Sequence, residues 1–366
     1  LAALLALAAS LCLLLALAPA SALAVTGSIS GTVTDAETTE PVEGVEVCAW
    51  PLSFENEEEF FGPFCEDTDA SGEYTLSEVP DGEYEVEFWG VPEGYVVQFY
   101  NGKAHWWEAD PVTVEGGPVT GIDAELERAA GIEGTVNRSS DGEPVEEVEV
   151  CAWPAGEEET FVRCAETASD GSYLIEGLEP GNYKVEFWPV FSGQNLAFQF
   201  YDHKARWSEA DVISLESGET ASEVDADLEA GATISGHVSS AASGAGLFEI
   251  PVCAIDAASG ELQICNWTEP GGAYELPFLP SNQYKVVFSI DFEEWFGEEG
   301  FEEDDGYPTQ FWDNQTTLAA ANVIPLSTGQ SIGGIDARLG TPGAAGGHAA
   351  AYDAPGRAPQ EAQALP

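Results

Sequence analysis

Apolar and polar residues alternate in short runs along most of this chain. Val45, Val47 and Ala49 point one way, while Glu46, Cys48 and Trp50 point the other. Tyr84, Val86 and Phe88 alternate with Glu85, Glu87 and Trp89, and Tyr183, Val185 and Phe187 alternate with Lys184, Glu186 and Trp188. A period of two gives a strand with one face in a core. Turn chemistry separates the runs: Ala70-Ser71-Gly72, Pro80-Asp81-Gly82, Ser169-Asp170-Gly171, Glu179-Pro180-Gly181 and Pro270-Gly271-Gly272. No long helical pattern interrupts them. About seven short strands per 100 residues predict an all-β sandwich.

The pattern occurs three times. A segment beginning Gly31-Thr32-Val33 and ending in Val45-Glu46-Val47-Cys48-Ala49-Trp50-Pro51 returns from Gly134 to Pro154 and, more loosely, from Gly236 to Ile255. The spacing is a domain length rather than a solenoid repeat. Three tandem sandwiches are expected over 26–128, 129–230 and 231–340. Each ends in a copy of one motif, Ile122-Asp-Ala-Glu-Leu, Val224-Asp-Ala-Asp-Leu or Ile335-Asp-Ala-Arg-Leu. Residues 341–366 are rich in Ala, Gly and Pro and are expected to be a disordered tail.

Residues 1–24 differ from everything that follows. Leu1 to Ala20 is nearly continuous Leu and Ala, and Ala22-Leu23-Ala24 fits a small-x-small cleavage site. This predicts a secretory leader, with a membrane-spanning anchor as the alternative. The remaining cysteines agree with export. There are two per repeat, and the repeat leaves one sensible pairing: Cys48–Cys65, Cys151–Cys164 and Cys253–Cys265. Each bond would close a hairpin between the second and third strands and add on the order of 3 kcal/mol.

A formal net charge of −56, from 10 Lys+Arg against 66 Asp+Glu, disfavours nucleic acid and anionic lipid as partners. It keeps tandem domains soluble and attracts divalent cations, and it also suits a salty medium. A monomer is expected, with the mature chain outside the membrane.

Several segments together resemble the carboxypeptidase regulatory-like domain: Gly31-Thr-Val-Thr-Asp, Pro41-Val-Glu-Gly-Val, Asp69-Ala-Ser-Gly-Glu-Tyr-Thr-Leu and Val79-Pro-Asp-Gly-Glu-Tyr-Glu-Val-Glu-Phe. The second copy keeps Ser169-Asp-Gly-Ser-Tyr and Leu178-Glu-Pro-Gly-Asn-Tyr. The resemblance implies three tandem transthyretin-like, prealbumin-like (Ig-like) β-sandwiches, related to starch-binding-like and collagen-adhesin B-type folds. It implies a non-enzymatic stalk, linker or adhesive module at a cell surface. Two alternatives stand beside it: a carbohydrate-binding protein, and the non-catalytic part of a larger secreted glycoside hydrolase or peptidase. Adhesin modules of this kind often carry an isopeptide bond from a first-strand lysine. None of the first strands here has one, and the disulfide takes the stapling role.

Comparing copies sorts the tryptophans. Trp50 and Trp153 match Ile255, and Trp106 and Trp207 match Leu318; a bulky apolar residue in every copy is expected to pack. Trp89 and Trp188 match Ser289, and Trp107 matches Ser208. Those three are candidates for stacking on the sugar rings of a polysaccharide. Asp67, Asp69, Ser71 and Glu78 have the spacing of a calcium loop. The second copy lacks those ligands, and the turn alone accounts for Gly72. The acidic insertion from Glu293 to Asp305 is a second cation candidate. His105 and Glu108 have an H-x-x-E spacing without a catalytic domain to support it. No cofactor and no catalytic residue are expected.

Overall fold

The computed structural model describes residues 26–52, 62–90, 94–156, 162–289 and 307–340. The leader, the insertion Glu293 to Asp305 and the tail 341–366 lie outside the described residues. The chain divides into two compact units, Leu1–Arg128 and Ala129–Pro366. The first holds one sandwich and the second holds two.

In the first sandwich, β1 (Thr26–Asp35) is central to one sheet. It pairs antiparallel with β4 (Glu73–Pro80) and in parallel with β8 (Pro118–Thr120) and β9 (Ala124–Leu126). The other sheet runs β3 (Phe64–Asp67), β2 (Glu46–Pro51), β5 (Gly82–Trp89) and β6 (Gln98–Phe99), with β7 (Val112–Val114) also on β5. Ile29, Val33, Val47, Ala49, Leu76, Val86, Phe88 and Leu126 fill the space between.

The second sandwich repeats this arrangement. Its strands are β10 (Ala130–Arg138), β11 (Glu149–Pro154), β12 (Arg163–Glu166), β13 (Ser172–Leu178), β14 (Gly181–Trp188), β15 (Gln199–Phe200), β16 (Ile213–Leu215), β17 (Thr220–Ala221) and β18 (Ala226–Leu228). The third follows with β19 (Ala232–Ser240), β20 (Pro251–Asp256), β21 (Leu262–Trp267), β22 (Ala273–Leu279), β23 (Gln283–Phe288), β24 (Gln310–Phe311), β25 (Ile324–Pro325), β26 (Ser331–Ile332) and β27 (Ala337–Leu339). Among the described residues each sandwich therefore has nine strands rather than about seven. The additional ones, such as β6 and β15, are two residues long, too short to show an alternation.

The recurrent motif residues have packing roles. In each domain the end of the first strand lies beside the last strand at close range. A Cβ on Gly31, Gly134 or Gly236 would meet the carbonyl oxygen of Ile122, Val224 or Ile335 at 2.0, 2.2 or 2.1 Å. Those carbonyls also accept a hydrogen bond from a buried tyrosine hydroxyl: Tyr74 at 2.6 Å, Tyr173 at 2.6 Å and Tyr274 at 2.7 Å. Burial raises the pKa of all three hydroxyls, which keeps them donors. The aspartate of the motif accepts from the opposite backbone, as Asp123 does from Thr32 N at 2.8 Å and Asp225 from Thr135 N at 2.8 Å. A buried threonine (Thr68, Thr167 or Thr268) accepts one backbone N–H and donates to a second carbonyl.

Gly134→Ala is expected to destabilise the second unit by about 2 kcal/mol, because the strand pair must separate to admit a methyl group. Denaturant titration of the full chain checks this. The same substitution at Gly142, where nothing lies within 4 Å but φ is +73°, is expected to cost about 1 kcal/mol through backbone strain alone.

The three disulfides form as expected. Cys48 faces Cys65, Cys151 faces Cys164 and Cys253 faces Cys265 across neighbouring antiparallel strands, each with a Cα–Cα distance of 4.1 Å.

Candidate functional site

The outer face of the disulfide-bearing sheet differs between copies. In the first domain Glu46, Cys48 and Trp50 lie on this face of β2, and Glu85, Glu87 and Trp89 on that of β5. After β6 the chain turns back over the face. Phe99 and Lys103 exchange backbone hydrogen bonds, and a 3-10 turn follows at Trp106–Glu108. The frame recurs after β15, with Phe200, Lys204 and the turn Trp207–Glu209, and after β24, with Phe311 and Gln315.

In the third domain this frame closes an apolar pocket. Cys253, Ile255, Val287, Phe311 and Ala321 form a separate small core, with Leu318 against it. In the second domain the residue equivalent to Val287 is Glu186, which is buried. Burial raises its carboxyl pKa to about 7; the indole of Trp153 offsets part of that rise, and Glu149 adds to it. In the first domain the position is Glu87. Burial raises its pKa too, and the Trp50 indole N–H donates to it at 2.9 Å.

A second position varies in charge. Lys184 donates from its ammonium to the carbonyl of Trp207 at 2.6 Å and lies 4.6 Å from the centre of the Trp207 ring. Lys285 donates in the same way to the carbonyl of Leu318 at 2.7 Å. The first domain has Glu85 here, opposite Trp50.

The expectation that Trp50, Trp153, Trp106 and Trp207 all pack holds for only two of them. Trp153 and Trp207 meet edge to face at 6.4 Å, whereas Trp50 and Trp106 are 39% and 57% exposed. The cause lies in the neighbours. Trp207 has Lys184 beneath it and the core of the third domain beside it; the first domain has Glu85 instead of the lysine.

The stacking candidates separate similarly. Trp89 is 38% exposed and Trp107 48% exposed. Trp107 already stacks on His105, at 4.4 Å and 12°, and meets Trp106 edge to face. Trp188 is half-buried between Phe198 at 5.3 Å and Phe278 of the third domain at 6.3 Å.

Trp188 marks the junction between the second and third sandwiches. Phe198, Phe200 and Ala210 join the core of the third domain in one cluster. The Phe198 N–H donates to the Phe278 carbonyl at 2.9 Å, and the Asn195 side chain accepts from the Phe278 N–H and donates to Gly231 and Thr233. Arg206 reaches the buried Asp256 at 3.4 Å, and the Ser208 N–H donates to Glu261 at 3.2 Å. Nothing in the residue pattern of one copy reveals this. It is legible only as the places where the copies differ.

The calcium spacing is not assembled into a ligand cage. Asp69 Oδ1 accepts the N–H groups of Ser71 and Glu73, a local turn. Asp67 lies on β3 opposite Glu46. Glu78 is an exposed residue of β4 in left-handed conformation, φ 59°, at the position of Gly177 and Phe278 in the other copies. Among the described residues, the metal-ligand groups that converge are Glu46 with Cys48 and Cys65, and Glu149 with Cys151 and Cys164. Their sulfurs are tied up in disulfides and are not thiolates.

No protein-family model and no curated protein matches this sequence. Among solved structures, the Bacillus anthracis TIE protein aligns with 86% of the chain at 15% identity and a TM-score of 0.24. The chain spans 51% of the length of that protein. The minor pilin GBS52 of Streptococcus agalactiae aligns with 56% of the chain and 95% of its own, at 13% identity and a TM-score of 0.27. The major pilin subunit BcpA of Bacillus cereus aligns with 86% of the chain and 99% of its own, at 10% identity and a TM-score of 0.21. Scores this low carry no argument about the role of the chain. Among the described residues no helix is long and apolar enough to cross a membrane.

Proposed function

We propose that this is a secreted, non-enzymatic structural protein of the cell exterior, whose carboxypeptidase regulatory-like sandwiches act as a stalk or adhesive support. The observation that carries this reading is the pairing of the first and last strands. β1 runs parallel to β9, β10 to β18 and β19 to β27. Tension on the two ends of such a domain loads the bonds between these strands side by side rather than one after another. The disulfide staples the other sheet, and the junction of the second and third domains is packed and hydrogen-bonded. The exported cysteine pairs and the acidic, soluble surface suit the same setting.

Pulling single full-length molecules from both ends tests the reading. Cooperative unfolding at forces well above those that peel a hairpin is expected. Reduction should then lengthen the released chain by the segments the disulfides close, with sequence separations of 17, 13 and 12 residues, each residue adding about 3.3–3.6 Å. Unfolding at low force without a distinct peak per sandwich would overturn the stalk role.

A further inference from the structure

Two of the three domains hold a lysine ammonium in the same place, and the first domain does not. Lys184 and Lys285 rise from equivalent positions of β14 and β23 and donate to the carbonyl of the residue that starts or precedes the covering turn, Trp207 or Leu318. The backbone frame of that seat is present in the first domain. Phe99 N donates to Lys103 O at 2.8 Å and Lys103 N to Phe99 O at 3.1 Å; the corresponding distances are 2.8 and 3.1 Å at Phe200 and Lys204, and again at Phe311 and Gln315. Ala109 N reaches Trp106 O at 3.2 Å, as Ala210 N reaches Trp207 O. The aromatic ring is kept as Trp106, and a second indole, Trp50, stands opposite Glu85.

What changes is the charge. Glu85 is only 7% exposed, and its carboxylate makes no hydrogen bond or ion pair among the described residues. Burial and the neighbouring Glu87 raise its pKa. A buried carboxylate without a cation is costly. Trp50 stands opposite it across the strand pair, and Trp50 and, in the turn that follows β6, Trp106 and Trp107 are all exposed. An aromatic face, a backbone carbonyl and a carboxylate together suit an organic cation, and an ammonium above all.

We propose that the outer face of the first domain is a receptor for the lysine side chain of a partner protein, whose ammonium takes the place that Lys184 and Lys285 fill from within their own domains. Lysine is the class of cation chosen because the two filled copies show what the seat accepts. Glu46 and Glu87 on the same face and Glu108 in the turn Trp106–Glu108 steer a basic partner toward it. This binding activity is independent of the mechanical role proposed above.

The experiment uses the full chain immobilised on a sensor surface and a lysine-rich hexapeptide, with its Nε-acetylated form as control. Salt is held at about 0.15 M, where the diffuse field of the chain is screened beyond about 8 Å. The peptide is expected to bind, and the acetylated form to bind at least about tenfold more weakly, since it lacks the charge-assisted hydrogen bonds. Glu85→Lys supplies the internal lysine of the other copies and should abolish binding while raising the unfolding temperature of the first domain. Glu85→Gln keeps the size and should weaken binding by about tenfold. Glu125→Lys makes the same charge change as Glu85→Lys, but on the other sheet, and should leave binding unaltered. Equal loss in Glu85→Lys and Glu125→Lys would identify diffuse attraction to an acidic protein and overturn the proposal. So would equal binding of the acetylated peptide, or no binding by the unaltered chain.

Discussion

Replacing Trp188 by alanine is expected to destabilise the second unit by about 3 kcal/mol, the lower end for truncating a packed aromatic. Trp89→Ala, at the same position of the first domain, should change stability by no more than about 0.5 kcal/mol. The side chains occupy equivalent ends of β5 and β14, so their strands do not distinguish them. Their surroundings do: Trp188 sits against Phe198 and Phe278, with Asn195 and Arg206 fastening the same junction. Phe278 makes the contact from a left-handed backbone, φ 62°, a conformation costing roughly 1–2 kcal/mol in a residue with a side chain. The second domain has Gly177 at that position. Phe278→Gly therefore removes backbone strain and ring contact together. A net loss of stability in that variant would show that the ring contributes more than the strain costs. Calorimetry of the full chain measures both effects, and equal shifts for Trp188→Ala and Trp89→Ala would mean that the junction contributes little.

The tryptophan contrast also shows what was legible beforehand. Alternation identified the core face of β2, β5 and β14, where Val47, Ala49, Val86 and Phe88 face inward with Tyr84; β20, buried along its whole length, shows no such alternation. The repeat identified the disulfides, because matching cysteines on neighbouring strands have one partner each. Short strands escaped, as two residues carry no period. The roles of Gly31, Tyr74 and Asp123 escaped for a different reason. Their copies announce that they matter, but a hydroxyl-to-carbonyl bond between residues 48 apart in sequence leaves no local trace. Positional matching failed outright at Trp50 and Trp106. It assumed that equivalent residues have equivalent neighbours, and one lysine-to-glutamate difference at position 85, together with a neighbouring domain, was enough to break that assumption.

Glu186→Val should stabilise the second unit by about 3 kcal/mol at pH 8 and by little at pH 4.5. Glu186 is buried; it faces Cys151 across one strand pair and Phe200 across the other. Of the charged groups on this face, Glu149 repels a second negative charge, while the ammonium of Lys184, two residues back on β14, is held on the Trp207 carbonyl. Its carboxyl is raised to about 7 from 4.5, so the fold prefers it protonated. The protonated form is present in both folded and unfolded chains below pH 4.5, and no penalty applies there. As pH rises from 4.5 to 7 the unfolded chain releases the proton first, stability falls, and above 7 the loss is constant. A shift of that size corresponds to about 3 kcal/mol. Valine is the right replacement because the third copy already has it: Val287 is fully buried against Cys253, Ile255 and Phe311. If the second unit unfolds as one body, the gain at pH 8 is about 6–12 °C in Tm. The rest of the acidic surface titrates too, so the decisive quantity is the difference between variant and parent at each pH. A difference that stays constant from pH 4.5 to 8 would show that the gain comes from packing alone and that Glu186 is ionised in the fold at little cost.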